Sequence, residues 1–459
     1  FILTDMVVKN SLSSYAVWQK DFDAGKVELG INGFDKHRPV YFISVGPQDP
    51  DRKLEITGVF PEGQHFERMA PGAFTYHDWD ELTLEEVPDQ LVGQVLFTTI
   101  RGRAREAHLT GAFRTTPYPS GSEPDQIMLS WVGDPSTSMD IQWRCNNTVT
   151  EGTVKYWESG SEDTLHAVAS MSIMEDRLLQ NDRYVHRFTA HLDQLQAGRQ
   201  YTYMLGSEQG GWSETASFQT EDNRDENFSF IWFGDTHKSK HWGDLIQHSF
   251  QKFPDVAFYS IAGDLVSTGL HRDDWDQFIH VSGPVLQYKP LMPVPGNHDS
   301  QDGLGAWMYR EIFALPENGP EELSPELSYS FRYKNALFLM IDVTSPIELQ
   351  STWIEEQLSN SDALWKFAIF HFPPYNYEED YSEIREEWCR LFDTYHVDMV
   401  MSGHTHYYMR SLPIFNEEVV EHHALGTVYV ISVGIPGNHE NMPDEEYAEV
   451  RDGQGWLDQ

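Results

Sequence analysis

In the second half of the chain, short apolar runs give way again and again to polar clusters. The runs cover residues 228–233, 256–261, 291–294, 367–370 and 397–401. They are too short for amphipathic helices and rich in Val, Ile, Phe and Met, so they predict buried strands. Upstream, residues 127–143 hold two alternating runs around a Gly133-Asp134-Pro135 turn, and residues 192–205 carry a late run with Tyr201 and Tyr203. That pattern predicts a small β-sandwich with an aromatic core. Residues 40–45, 54–60 and 94–100 alternate in the same way between Gly, Pro and Asp clusters, and predict a further β-rich module. A chain of 459 residues suits about three domains. The boundaries read as 1–107 for the first module, whose role is not specified, 108–221 for the sandwich and 222–459 for an α/β domain. Residues 118–124 read as the entry loop of the sandwich rather than as a linker.

Each apolar run of the last segment ends in a cluster with chemistry. The clusters are Asp235-Thr236-His237, Gly263-Asp264, Gly296-Asn297-His298-Asp299, Phe370-His371-Phe372-Pro373-Pro374 and Gly403-His404-Thr405-His406. In an open α/β sheet, loops at the carboxyl ends of the strands share one crevice, so groups spread over roughly 170 residues can meet there. Carboxylates, imidazoles and one amide form the donor set of a dinuclear hydrolytic centre, with Asp264 as the natural bridge. His298 stands beside a candidate ligand without being needed as one. It can therefore reach a substrate oxygen, with Asp299 available to hold its ring and tautomer.

Taken in order, these residues resemble the calcineurin-like metallophosphoesterase superfamily, whose pattern is D-x-H, G-D, G-N-H-D/E, H, G-H-x-H. Every position is filled, over roughly residues 227–437. The resemblance implies a metallophosphoesterase β-sandwich flanked by helices. It also implies Asp235, His237 and His406 around one metal, Asn297, His371 and His404 around the other, and Asp264 bridging. The upstream sandwich resembles the fibronectin-III-like N-terminal domain of purple acid phosphatases, so the expected architecture is an α/β catalytic domain preceded by all-β domains. One position departs from that family: a Tyr is expected three residues after the bridging Asp, and Ser267 stands there. Without a phenolate donor the iron(III) colour should be absent. The expected cofactor is two divalent ions, Zn, Mn or Fe.

Charge narrows the range of partners. Acidic residues number 72 against 32 basic ones, a formal net charge of −40. Such a surface repels polyanions, so extended nucleic-acid binding is disfavoured and a small-molecule or carbohydrate anionic ester is the expected substrate. The excess itself reads as surface solvation of the kind seen in salt-adapted proteins. No run reaches the roughly 18 apolar residues of a membrane span. The start at Phe1 reads as a processed chain, secreted or periplasmic. Cys145 and Cys389 fall in different predicted domains and read as two buried thiols.

Substrate contacts are sought among cations and aromatics beside the clusters. Lys238, Lys240 and His241 follow the first cluster, and Tyr407, Tyr408 and Arg410 follow the last. Lys238, Lys240, Tyr407 and Arg410 are the candidates for binding an ester's anion and its sugar-like neighbour. Trp307 reads as core, and His422 and His423 as a surface turn. The expected activity is phosphoester hydrolysis by metal-activated water, with His298 protonating the leaving oxygen. A sulfatase acting on carbohydrate sulfate esters is the alternative. A vestigial catalytic domain serving only as a binding protein is opposed by the filled ligand pattern, and an exonuclease by the charge.

Overall fold

A computed structural model describes residues 115–452 apart from 177–178, 180, 225–226, 238, 270, 301–305 and 433–444, together with the backbone of seven strands between residues 15 and 100. The chain divides into two compact units, the first being essentially residues 1–116 and the second nearly all the rest. In the first unit a five-stranded antiparallel sheet has the order Tyr15–Trp18, Val95–Ile100, Pro39–Val45, Ala73–Thr75, Glu67–Ala70. The expected run at 54–60 lies outside the described residues.

The second unit opens with an antiparallel β-sandwich. One sheet contains Asp125–Ser130, Met139–Asn146, Tyr184–Leu192 and Ser170–Glu175; the other is built around Thr153–Glu158 and Gln200–Ser207. Alternation along Met139–Asn146 explains how the sandwich is fixed to the catalytic domain. Met139, Ile141, Trp143 and Cys145 turn into the sandwich core, where Trp143 stacks on Phe188. Asp140, Gln142 and Arg144 turn the other way, yet each is only 1% exposed. A polar face buried so completely must be met by partners. Arg144 receives them from both sides, at 2.8 Å from Asp125 and 2.6 Å from Asp276.

Asp276 belongs to the catalytic domain, on a helix spanning Arg272–Ser282 (α2). This helix packs on Lys240–Lys252 (α1), where Trp242 stacks on Phe278 with ring centroids 5.5 Å apart. Ser239 caps α1 by accepting the His241 N–H. The seam continues through backbone contacts: Leu291 N–H donates to Leu129 O at 2.9 Å, and Tyr203 Oη donates to Gln287 O.

Two sheets form the catalytic domain. In the smaller, Ile231–Phe233 and Tyr259–Ile261 run parallel, and bridges from Tyr259 to Leu291 and from Ala262 to Val294 extend it. The larger has seven strands, with Ala336–Met340, Trp365–Ile369, Met399–Ser402 and Val428–Ile431 parallel at its centre. Both faces of this sheet are covered, which is why its strands read as continuous apolar runs. Phe338 and Met340 face the smaller sheet, whereas Leu337 and Leu339 face helix Ser351–Ser359 through Trp353, Ile354 and Leu358. Cys145 and Cys389 are free, lie in separate core clusters, and burial pushes both thiols up to about 12. Among the described residues no helix is long and apolar enough to cross a membrane.

The seam gives a test. Asp276→Ala removes the carboxylate that Arg144 and Gln126 share at 2.6 and 2.8 Å, in a setting where breaking one side of a buried pair costs roughly 3–5 kcal/mol. Urea denaturation should show a loss of that order. A loss below about 1 kcal/mol, the range of an exposed pair, would mean that Asp125 suffices to hold the Arg144 guanidinium.

Candidate metal centre

The five polar clusters sit at the carboxyl ends of parallel strands, or of the extended run at Leu291–Val294, and their backbone is bent out of ordinary conformations. His237, Asp264 and His404 have φ of 43°, 53° and 71°, left-handed values that non-glycine residues seldom adopt. Gly263, at φ 89°, passes so close to the His371 ring that a Cβ would clash with it. Gly403 packs against the Asp235 carboxylate in the same way. Close approach therefore demands the glycines in both G-D and G-H-x-H, and the left-handed turn demands Gly263 as well.

Asp264 is 1% exposed and its two oxygens have separate tasks. Oδ1 accepts the His298 N–H at 2.8 Å. Oδ2 lies 3.2 Å from His371 Nε2, 3.7 Å from His237 Nε2 and 3.8 Å from His298 Nε2. Asp235 repeats the arrangement: Oδ1 accepts the His404 N–H at 2.8 Å, and Oδ2 faces His406 at 3.1 Å and His237 at 3.3 Å. His371 completes the other side, its Nε2 also 3.1 Å from Asn297 Oδ1 and its Nδ1 bonded to the Ala262 carbonyl. His404 packs on His371 with ring centroids 5.0 Å apart.

Two sets of donors thus form around one carboxylate. Asp235, His237 and His406 lie within mutual reach, as do Asp264, His371 and His404, and Asp264 also groups with His237 and His298. The donors fit divalent metal ions. His237 and His406 bring Nε2 within 3.4 Å of each other and both face Asp235 Oδ2, a convergence of nitrogen and oxygen donors that suits a shared cation. The electrostatics agree. Burial disfavours charge on His371, but Asp264 and Asp235 outweigh it and raise the ring to about 9. Burial also opposes ionisation of Asp235 and Asp264, yet the surrounding imidazoles hold both carboxyls below their ordinary range. The pocket calls for positive charge.

Several expectations change at this point. His298 is 18% exposed and its Nδ1 is fixed by the Ser267 carbonyl at 2.8 Å, not by Asp299. Asp299 is instead buried and accepts the N–H groups of Leu265, Val266 and Gly296 at 3.1, 3.0 and 2.9 Å, so it ties the Asp264 loop to the Asn297 loop. Its burial, with Asp264 close by, raises its carboxyl to about 7.

The substrate candidates fare differently. Tyr407 is fully buried with Met409 and Ile431, packs on Tyr377, and offers no surface to a ligand. Arg410 sits on Tyr408–Ser411, a strand antiparallel to Val428–Ile431 that leads away from the ligand loops. Its guanidinium pairs with Glu449 at 3.1 Å, beside Phe367, Met399 and Val428 near the opposite ends of the parallel strands. Lys240 opens α1 with an exposed side chain, and Lys238 lies outside the described residues. Trp307 is partly buried against the core, and His422 and His423 are exposed. The sequence reading missed the carbonyls of Ala262 and Ser267, for which no residue type gives a signal. It also missed Glu379, whose Oε2 lies 3.8 Å from His404 Nε2.

Comparison with known proteins agrees with this geometry. Residues 124–220 match the family model of the purple acid phosphatase N-terminal domain, and residues 228–408 that of the calcineurin-like phosphoesterases. Purple acid phosphatase 23 of Arabidopsis thaliana is 26% identical over 76% of this chain and 84% of its own length. Acid phosphatase type 7 of Mus musculus is 27% identical over 64% and 72%. An uncharacterized protein of Mycobacterium tuberculosis is 26% identical, the match spanning 64% of each chain, just under two thirds of that relative. The purple acid phosphatase isolated from yellow lupin (Lupinus luteus) seeds shares the fold, with a TM-score of 0.63 at 17% identity over 98% of this chain and 89% of that one. Residues 228–408 thus form a calcineurin-like phosphoesterase domain, preceded at residues 124–220 by a domain of the purple acid phosphatase N-terminal type.

Proposed function

We propose that this metallophosphoesterase hydrolyses phosphate esters at a dinuclear centre bridged by Asp264, with Asp235, His237 and His406 on one side and Asn297, His371 and His404 on the other. The observation that carries the reading is the position of Asp264 Oδ2, 3.2 Å from an imidazole of one set and 3.7 Å from an imidazole of the other. Two divalent ions held there supply a Lewis-acid clamp for a tetrahedral oxyanion and an acidified water.

The protein's own groups do the rest. Asp235 and Asp264 each have one oxygen fixed by a backbone N–H, so the second oxygen is aimed without further ordering. His298 keeps Nδ1 on the Ser267 carbonyl, which directs Nε2 toward the centre. A ring so held can carry a proton on Nε2 and hand it to a departing alkoxide. Asp299 positions both loops and takes no proton in this scheme. Ser267 supports the choice of divalent ions, because its hydroxyl donates to the His237 carbonyl at 3.0 Å and it brings no anionic donor.

Three outcomes test the reading. Elemental analysis of reconstituted protein should find close to two ions per chain and no strong visible band, and Asp264→Asn should lower occupancy at both positions. At most one ion, or a purple iron-loaded protein, would contradict the dinuclear divalent centre. His298→Ala should keep both ions and lower turnover by roughly 10²-fold or more, with a smaller loss on esters of good leaving groups. Loss of an ion instead would make His298 a ligand alongside His237 and Asp264, with which it already groups. Side-by-side assays of aryl phosphate, bis-aryl phosphate and aryl sulfate should favour a phosphate ester. A higher kcat/KM on the sulfate would transfer the same scaffold to sulfate esters.

A further inference from the structure

The loop after His371 is built more firmly than a connection requires. Asn376 alone fastens four backbone groups: its Oδ1 accepts the N–H groups of Glu378 and Glu379 at 2.8 Å each, and its Nδ2 donates to the carbonyls of Pro373 at 2.8 Å and Glu379 at 3.0 Å. Arg385 donates to Pro374 O and to the Asp380 carboxylate. Phe372 stacks on Tyr381 at 5.0 Å with 4° between the planes, and its ring also lies 4.6 Å from the His404 ring. Bracing of this kind fixes where one side chain points. That side chain is Glu379, whose Oε2 takes the Tyr381 hydroxyl and lies 3.8 Å from His404 Nε2.

Glu379 differs from the two aspartates in access. Its side chain is 30% exposed, against 0% for Asp235 and 2% for Asp264. It also stands outside the mutually close donor group of Asp264, His371 and His404. It is therefore placed to meet a substrate rather than to complete a metal shell. Glu378 next to it is exposed and adds the same sign, while Arg385 is engaged with Asp380 at 2.9 Å and faces Glu417 at 3.7 Å.

We propose that Glu379 is a specificity-determining residue on the His404 side, favouring phosphate esters whose alcohol part is uncharged and hydroxyl-bearing over esters that carry further phosphate groups. The proposal rests on the phosphoesterase reading. One anionic group is attracted by the cationic centre, but a second lying toward His404 meets a fixed carboxylate at close range. A hydroxyl in the same place donates to it instead. The preference thus joins a repulsion against the more highly charged ester to a hydrogen bond with the hydroxyl-bearing one.

The decisive variant is Glu379→Gln, which keeps the shape and a Tyr381 partner while removing the charge, compared with Glu418→Gln, an equal change in net charge on an exposed strand. On metal-reconstituted protein, the kcat/KM of a nucleoside triphosphate relative to a hexose phosphate should rise roughly tenfold in Glu379→Gln, mostly through KM, and shrink toward parity at high salt. Glu418→Gln should leave the ratio unchanged. Calorimetry with tripolyphosphate and orthophosphate gives the same answer without turnover, tripolyphosphate gaining roughly tenfold over orthophosphate, or about 1.4 kcal/mol. An unaltered ratio in both measurements, or loss of an ion in Glu379→Gln, overturns the proposal. If the wild-type protein cleaves no phosphate ester, the phosphoesterase reading falls and the calorimetric ratio still decides the role of Glu379.

Discussion

The centre depends on how two buried carboxylates are kept pointing at imidazoles. A carboxylate with no exposure has lost its water, and the cost is recovered only when every lone pair has a partner. Asp235 and Asp264 solve this identically: one oxygen takes a backbone N–H, from His404 or His298, and the other faces imidazole nitrogens. The backbone donor comes each time from a different loop than the acceptor. Strand ends are thereby tied together before any ion enters, and the left-handed φ of His237, Asp264 and His404 is held by that cross-bracing. Strain of this kind persists only where the surroundings over-determine it. Asp299 belongs to the same lattice, because its three N–H partners span the Asp264 and Asn297 loops.

The sandwich takes part in this rigidity. The Leu291 N–H that meets Leu129 O belongs to the extended run leading into Gly296 and Asn297, and Arg144 reaches Asp276 on α2, which packs on α1, the helix that follows the first ligand loop. Asp140 and Gln142 keep partners within the sandwich, from Val132, His191 and Ser130, but the Arg144 guanidinium, at 1% exposure, would lose the Asp276 carboxylate in an isolated sandwich. Its presence means that the sandwich and the catalytic domain are matched surfaces. The seam is specified by charge geometry as much as by apolar area.

The sequence was informative where chemistry dictates residue type. Strands buried on both faces must read as apolar runs, and their carboxyl ends must carry the donors, so 367–370 and 397–401 were visible as the strands Trp365–Ile369 and Met399–Ser402. The family was legible for the same reason. Adjacency along the chain was a poorer guide. Arg410 and Tyr407 follow His406 closely, but alternation and the antiparallel turn carry one to a salt bridge with Glu449 and the other into the core. Asp299 follows His298, yet side chains of neighbouring residues in a tight loop diverge, and the ring found a carbonyl thirty-one residues upstream in the chain, at Ser267. Glu379 was invisible because the Asn376 bracing that aims it is a matter of backbone hydrogen bonds.

Ser267 shows how a single departure from a family pattern is absorbed. A phenolate at this position would add a negative donor and fill space beside His237. The serine instead donates its hydroxyl to the His237 carbonyl and lends its own carbonyl to His298, so it steadies a candidate ligand and the candidate acid together. The donor set then contains two carboxylates in place of two carboxylates and a phenolate. Fewer anionic donors favour lower-charge cations, so the negative charge lost with the phenolate is matched by the positive charge lost with a ferric ion, and the net positive charge of such a centre is kept. With a net charge of −40 on the chain, the positive charge of the proposed centre would be the attraction drawing an anionic ester inward. The exposed carboxylate of Glu379 at its edge then sets a limit on how much further negative charge the ester can bring.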